Sequence, residues 1–211
     1  MRPLHEQPGV VAAGYERSVS AGTIVFEVGD PVDAVHVVLD GVLLVRSVSL
    51  DGDSAVVDVR GRGDLLDDTA LLDEPPGLHY DGATAVTPVR VLRIPLRVFD
   101  ELRDRSPELG AALVSQLTEQ VRRLSASLVD LLGRPGRARA ARRLLALSDA
   151  LERSGMHGTA LVLTQQDVAD FVGTTRSTLN AYLQEFELAS AVASSRGRLT
   201  ITDPHALAAF A

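Results

Sequence analysis

In the stretch LTQQDVADFVGTTRSTLNAYLQEF, Leu163 to Phe186, the side chains able to do chemistry are hydrogen-bonding groups rather than nucleophiles. Arg176, Ser177, Asn180, Ala181 and Gln184 recur at helical spacing, opposite Leu179, Tyr182, Leu183 and Phe186. A helix with one apolar and one polar face of this kind can bury the first and present the second to the base edges of a duplex major groove. Upstream, Thr164 stands where an N-cap belongs, with Asp167 three residues on, an approximate capping box. Val168, Ala169 and Val172 define the buried face of a first helix, Gly173 permits a turn through positive φ, and Thr175 can cap the second helix. The same pattern taken alone also describes an ordinary helical corner with a solvated polar face. The stretch SSRGRLTITD that follows reads as a glycine-centred hairpin with Arg196 and Arg198 at its tip, placed to meet phosphate. Helix, turn, helix and hairpin make a winged helix-turn-helix.

Other elements must hold this unit in place. From Thr23 to Ile94, β-branched runs (TIVFEV, VHVVLD, GVLLVRSVSL, SAVVDV, TPVRVLRI) alternate with Gly and Asp turn signals, which predicts an antiparallel roll or barrel. Between Leu109 and Leu131, apolar residues step by three and four through Leu113, Leu117, Val121, Leu124 and Leu128. So narrow a stripe fits a helix pairing with a second copy of itself, although packing on its own domain gives the same periodicity. GRPGR, Gly133 to Arg137, breaks that helix and marks a linker. ARAARRLLALSDALERSG then predicts another helix, ending near Gly155. The expected organisation is α+β: a β-roll over residues 1–106, a dimerisation helix and hinge over 107–133, and a winged helix-turn-helix over 134–211.

Composition narrows the chemistry. The chain has 211 residues and no cysteine, which excludes disulfides, cysteine-ligated iron-sulfur clusters and thiol redox sensing. Its formal net charge is -7, unevenly divided. Up to Gly133 there are 12 Arg against 21 Asp/Glu, and beyond it 9 Arg against 7 Asp/Glu. An acidic body with a mildly basic tail suits a protein whose smaller end touches nucleic acid. There is no apolar run long enough to span a bilayer, and the first residues, MRPLHEQPGVVAAGYERS, lack a secretion-signal pattern, so no membrane association and a cytoplasmic location are expected.

The order of roll, long helix and winged helix resembles the Crp/Fnr superfamily of bacterial transcription regulators. The resemblance covers about residues 20 to 210. It is carried by FEVGDPVDAVHVVLDGVLLV, by RGRGDLLDDTALL, by the long helix and by LTQQDVADFVGTTRSTLNAYLQEFE. It implies a homodimeric regulator that binds palindromic double-stranded DNA through a cyclic-nucleotide-binding-like domain joined to the winged helix. RNA polymerase is a candidate further partner. In the family an Arg-Glu pair opens the recognition helix and a second arginine follows one turn later. Here Arg176 keeps the first position, while Ser177 and Ala181 replace the other two.

The sequence departs from the family around the effector site. Cyclic-AMP-binding members place a glutamate on the ribose and an Arg-Ser or Arg-Thr pair on the cyclic phosphate. The corresponding region here offers Asp67, Asp68, His79, Tyr80 and Asp81, and no Arg or Lys lies between Arg62 and Arg90. A phosphodiester among carboxylates without a cation is repelled, so cyclic AMP held in the usual family manner is not expected. The effector is unknown from sequence. A haem on His79 or His36 stays open, whereas a metal site is not expected from one histidine among scattered carboxylates. His36, inside a strand run, reads as a packed core residue. Two other readings stand beside the regulator. One is a cupin-like metal-dependent enzyme, for which VHVVLDGV supplies a single histidine and no nucleophile set accompanies it. The other is a ligand-free dimeric scaffold that docks a protein partner. An enzyme is not expected.

Overall fold

The computed structural model describes residues 3–49, 51–52, 54–66 and 77–211. A 3-10 turn at Leu4–Glu6 and helix α1 (Pro8–Ala13) precede the strands of the roll. These are β1 (Tyr15–Val19), β2 (Ile24–Phe26), β3 (Ala34–Asp40), β4 (Leu43–Val48), β5 (Ser54–Arg60), β6 (Leu65–Leu66), β7 (Asp81–Ala85) and β8 (Val89–Pro95). They form two antiparallel sheets, ordered β1-β8-β3-β6 and β2-β7-β4-β5. The alternation along β3 explains the layering: Val35 and Val37 face a helix-side core with Leu4, Leu92, Ile94 and Phe99, while Val38 joins Phe26, Leu43, Ala83 and Val91 between the sheets. The β3–β4 turn depends on Gly41, at φ +90°, where an added Cβ would stand 2.4 Å from the Pro88 carbonyl oxygen.

Two features of the roll depart from the pattern read in the sequence. Strand β1 precedes the expected start at Thr23, and its YERSV is exposed at four of five positions, so it lacks the apolar alternation that marks a strand. The roll ends in a helix, α2 (Leu96–Arg105), not set apart in the sequence pattern read above; it buries Leu96 and Phe99 and packs Leu102, half-buried, against the same core.

Helix α3 (Pro107–Gly133) begins at Ser106, whose Oγ accepts the Leu109 N–H at 3.2 Å. Leu109 and Ala112 are buried in the helix-side core, and Leu113 packs half-buried against it. Beyond them one side of the helix keeps polar contact with the roll, Gln116 Nε2 donating to the Gly63 carbonyl at 2.7 Å and Arg123 Nη2 to Asp58 Oδ2 at 3.3 Å, while Val114, Val121 and Leu128 recur every seven residues beside Leu117, Leu124 and Leu131. All six except the half-buried Leu117 are exposed. Val114 takes the place on this face that periodicity alone assigned to Leu113, which turns toward its own domain.

The remaining elements are α4 (Gly136–Arg153), β9 (Leu161–Val162), α5 (Gln165–Val172), α6 (Arg176–Leu188), β10 (Val192–Ser195), β11 (Arg198–Ile201) and α7 (Pro204–Ala208). The wing sheet is ordered β10-β11-β9. This unit is not suspended from the hinge alone: Val42, Leu44, Val56, Val59 and Val86 of the roll share one apolar cluster with Leu144, Leu147 and Phe171. Polar contacts join the same surfaces, with Val162 N–H donating to the Val86 carbonyl at 2.7 Å and Ser154 Oγ donating to the Gly41 carbonyl at 3.0 Å.

Candidate nucleic-acid interface

The capping signals that announce α5 and α6 are realised as hydrogen bonds. Thr164 Oγ1 accepts the Asp167 N–H at 3.1 Å, and Asp167 Oδ2 accepts the Thr164 N–H at 2.9 Å, a complete capping box. Gly173 ends α5 at φ +70°, in the left-handed region that lets the chain reverse within three residues. Thr175 Oγ1 then accepts the Thr178 N–H at 3.2 Å and starts α6. Leu179, Leu183 and Phe186 are buried, and Tyr182 packs half-buried beside them.

The opposite face of α6 is open. Thr175, Arg176, Ser177, Ala181 and Gln184 are exposed, and Thr164 is exposed at the start of α5. Arg176 is not loose: its Nε donates to Gln165 Oε1 at 3.0 Å, which ties the arginine to the first helix. Asn180 is half-buried, and its Oδ1 has no hydrogen-bond partner among the described residues. At the wing, Arg196 and Arg198 flank Gly197, at φ +68°, and both are exposed. Neither guanidinium has an ion-pair or hydrogen-bond partner among the described residues, which leaves two full charges for an anionic polymer.

One residue that sequence reasoning passed over organises this face. Arg139 of α4 donates through Nε to the Val172 carbonyl at 2.7 Å, through Nη2 to the Gly173 carbonyl at 3.0 Å and through Nη1 to the Leu131 carbonyl at 3.4 Å. A single guanidinium thus satisfies carbonyls left open at the ends of α5 and α3 and fixes the turn of the helix pair against the long helix. No local motif marks it, because the Val172 and Gly173 carbonyls that it holds are backbone atoms more than 30 residues away.

Of the residues suggested for an effector pocket, His79, Tyr80 and Asp81 lie among the described ones. Asp67 and Asp68 lie outside the described residues. His79 is buried, with its ring stacked 4.2 Å from that of Phe26 at an angle of 14°. Phe26 in turn lies 5.7 Å from the His36 ring, so a row of three rings fills the space between the sheets. His36 is therefore a core residue, as its strand position suggested, and His79 is drawn inward rather than left on a solvated loop. Tyr80 next to it is exposed, and Asp81 is half-buried at the start of β7. Among the described residues no group of three His, Cys, Asp or Glu side chains is placed to hold a metal, and no helix is long and apolar enough to cross a membrane.

A double-sheet roll that runs through a long helix into a winged helix-turn-helix defines a class of protein: regulators in which a sensor-type domain is packed on a DNA reader. Comparison with known proteins gives the same assignment for both halves. Residues 16–106 match the family model described as a cyclic nucleotide-binding domain, and residues 138–210 match the Crp-like helix-turn-helix domain. The HTH-type transcriptional regulator Cmr of Mycobacterium tuberculosis is 29% identical over 92% of this chain and 75% of its own length. The CRP-like cAMP-activated global transcriptional regulator of the same organism is 27% identical over 78% of this chain and 74% of its own length. The structure of the c-di-GMP responsive global regulator CLP of Xanthomonas campestris superposes with a TM-score of 0.72 over 92% of this chain and 96% of that one, at 20% identity, a likeness of fold alone. The chain belongs to the Crp/Fnr superfamily and is a DNA-binding transcription regulator of that type.

Proposed function

We propose that the protein binds palindromic double-stranded DNA as a homodimer, with α6 of each copy in a major groove. The observation that carries this reading is the open face of Arg176, Ser177, Ala181 and Gln184 beside the uncommitted Arg196 and Arg198. Helix α3 supports the dimer: its seven-residue repeat of exposed apolar side chains is the seam that two parallel copies would bury. Such a pairing spaces two recognition helices about one duplex turn apart, roughly 34 Å. Thr164, Thr175 and the free N–H groups opening α6 hold phosphate, Arg176 reads guanine through two parallel donors, and Asn180 and Gln184 read neighbouring positions.

Cyclic AMP held through a phosphate arginine is not the effector, and the roll either takes a different molecule or serves as a ligand-free dimeric scaffold. Supporting this are the arginine-free span from Gly63 to Val89 and the stack of Phe26, His79 and His36 inside the roll. The test is selection of bound fragments from random DNA, with and without small-molecule extract. A two-fold-symmetric consensus with a guanine in each half-site supports the reading, and recovery of no preferred sequence overturns it.

A further inference from the structure

Helix α5 carries Asp167 and Asp170, one turn apart, on the element that crosses the phosphate backbone when a helix-turn-helix docks. Two carboxylates there oppose DNA by like-charge repulsion. In this structure they are not left bare. Arg46 of strand β4 reaches across from the roll, and its Nη2 donates to Asp167 Oδ1 at 2.9 Å while Nη1 donates to Asp170 Oδ2 at 2.8 Å. The two partners lie 121 and 124 residues further along the chain. All three side chains are partly buried, at 28% exposure for Arg46, 33% for Asp167 and 19% for Asp170, so salt screens this pairing less than one on an open surface.

The neighbouring strand β5 supports this side chain. The β4–β5 ladder shifts register beside Arg46, with Val45 opposite Asp58 but Arg46 opposite Val56, so that Val57 is the extra residue of a bulge. The bulge bends β5 and raises the local twist of the ladder in which Arg46 sits. Ser54 Oγ on β5 accepts a further bond from Nη1 at 3.2 Å, which steadies the guanidinium fork. Each carboxylate keeps a second, local partner: Asp167 completes the Thr164 cap, and Asp170 accepts from Gln166 Nε2 at 2.6 Å. Neither aspartate needs Arg46 to hold α5 together, so the fork acts between domains.

We propose that Arg46 is a positioning residue for DNA recognition, which both seats α5 against the roll and cancels the two carboxylates that would otherwise repel the phosphate backbone. This rests on α5 and α6 being the DNA reader. It adds a route by which the roll is felt at the DNA: any displacement of the β4–β5 hairpin uncovers negative charge on the reader while releasing its orientation. The recognition residues themselves are untouched by such a movement, so affinity changes and base preference does not.

The test measures fluorescence anisotropy of a selected DNA site at several salt concentrations, using the full chain. The variants are Arg46→Gln, Arg46→Lys, the pair Asp167→Asn/Asp170→Asn, and the triple combination with Arg46→Gln; asparagine retains the capping acceptor at position 167. Arg46→Gln is expected to weaken binding about tenfold at low salt, with a loss that shrinks as salt rises, and Arg46→Lys to retain most of the affinity. Adding Arg46→Gln to the asparagine pair is expected to cost less than about twofold. A loss that is as large in the asparagine background, or that does not vary with salt, overturns the proposal, because it would mean that Arg46 touches DNA directly or only supports the fold. Failure of the wild-type chain to bind any DNA would overturn the reader assignment instead, before any variant is compared. Backbone hydrogen exchange in α5, faster in Arg46→Gln than in wild type, checks the seating without DNA.

Discussion

Asp130 near the end of α3 and Arg142 of α4 are joined across the hinge by a 2.7 Å bond from the arginine Nε to Oδ2. The other carboxylate oxygen accepts from Arg134 Nε, also at 2.7 Å. Burial by itself pushes the Asp130 carboxyl upward, but the bonds and charges of Arg142 and Arg134 outweigh it, and the group is held below its ordinary value. A carboxylate depressed in the folded state adds stability that is present above the unfolded value, about 3.9, and lost as pH falls through the lower folded value. Asp130→Asn is expected to cost about 1 to 2 kcal/mol at pH 7, in line with charged hydrogen bonds to half-exposed arginines. Urea melts repeated on going below about pH 4 should show the gap between variant and wild type closing.

The exposed repeat on α3 predicts how the dimer can be undone. Val121→Glu with Leu124→Glu places charges in the seam without touching the buried Leu109 or Ala112. Sedimentation should show monomers of unchanged secondary structure that lose tight binding to a two-half-site duplex. A variant that remains dimeric would assign the stripe to some other contact.

Base reading and backbone holding should separate by mutation. Arg176→Ala is expected to cost about 1 to 3 kcal/mol per half-site, concentrated at one guanine, so the selected consensus relaxes there. Arg196→Ala or Arg198→Ala should weaken all sequences alike and lower the slope of affinity against salt. An unchanged consensus for Arg176→Ala would move the reading role to another residue of α6.

Gly136, the first residue of α4, lies directly under the recognition helix. A Cβ there would stand 2.6 Å from the Tyr182 hydroxyl and 3.3 Å from its Cζ, so the ring has to move. Gly136→Ala is expected to lose about 1 to 3 kcal/mol of stability through overpacking and to weaken DNA binding by shifting α6. Adding Tyr182→Phe removes the clashing oxygen and should recover most of both losses, as read by thermal melts and by affinity for the selected site.

Cyclic AMP should bind in the high micromolar to millimolar range or not at all, equivalent to roughly 4 to 5 kcal/mol at most. Calorimetry on the full chain checks this. Micromolar affinity would require a cation from outside the span 63–89 to meet the phosphate.

The parts of the reader that are legible in sequence are those whose partners lie a few residues away. Thr164 with Asp167, Gly173 at the turn and Thr175 with Thr178 are local arrangements, and residue type and spacing are enough to specify them. The apolar periodicities of α3 and α6 and the missing arginines between Arg62 and Arg90 are likewise properties of the linear chain. Folding decided the rest. Which of the 21 arginines would meet the α5 carboxylates, and which would cap the turn at Val172 and Gly173, depends on surfaces that meet only once the roll packs on the winged helix. His79 looked like a loop residue because its neighbours are Tyr80, Asp81 and Gly77, yet Phe26, from a strand more than 50 residues earlier, supplies the ring that draws it inward. Leu113 and Val114 exchange roles for the same reason: periodicity defines a face to within about one helical step of 100°, and only the curvature of the roll against α3 decides which neighbour is covered and which is left for a partner.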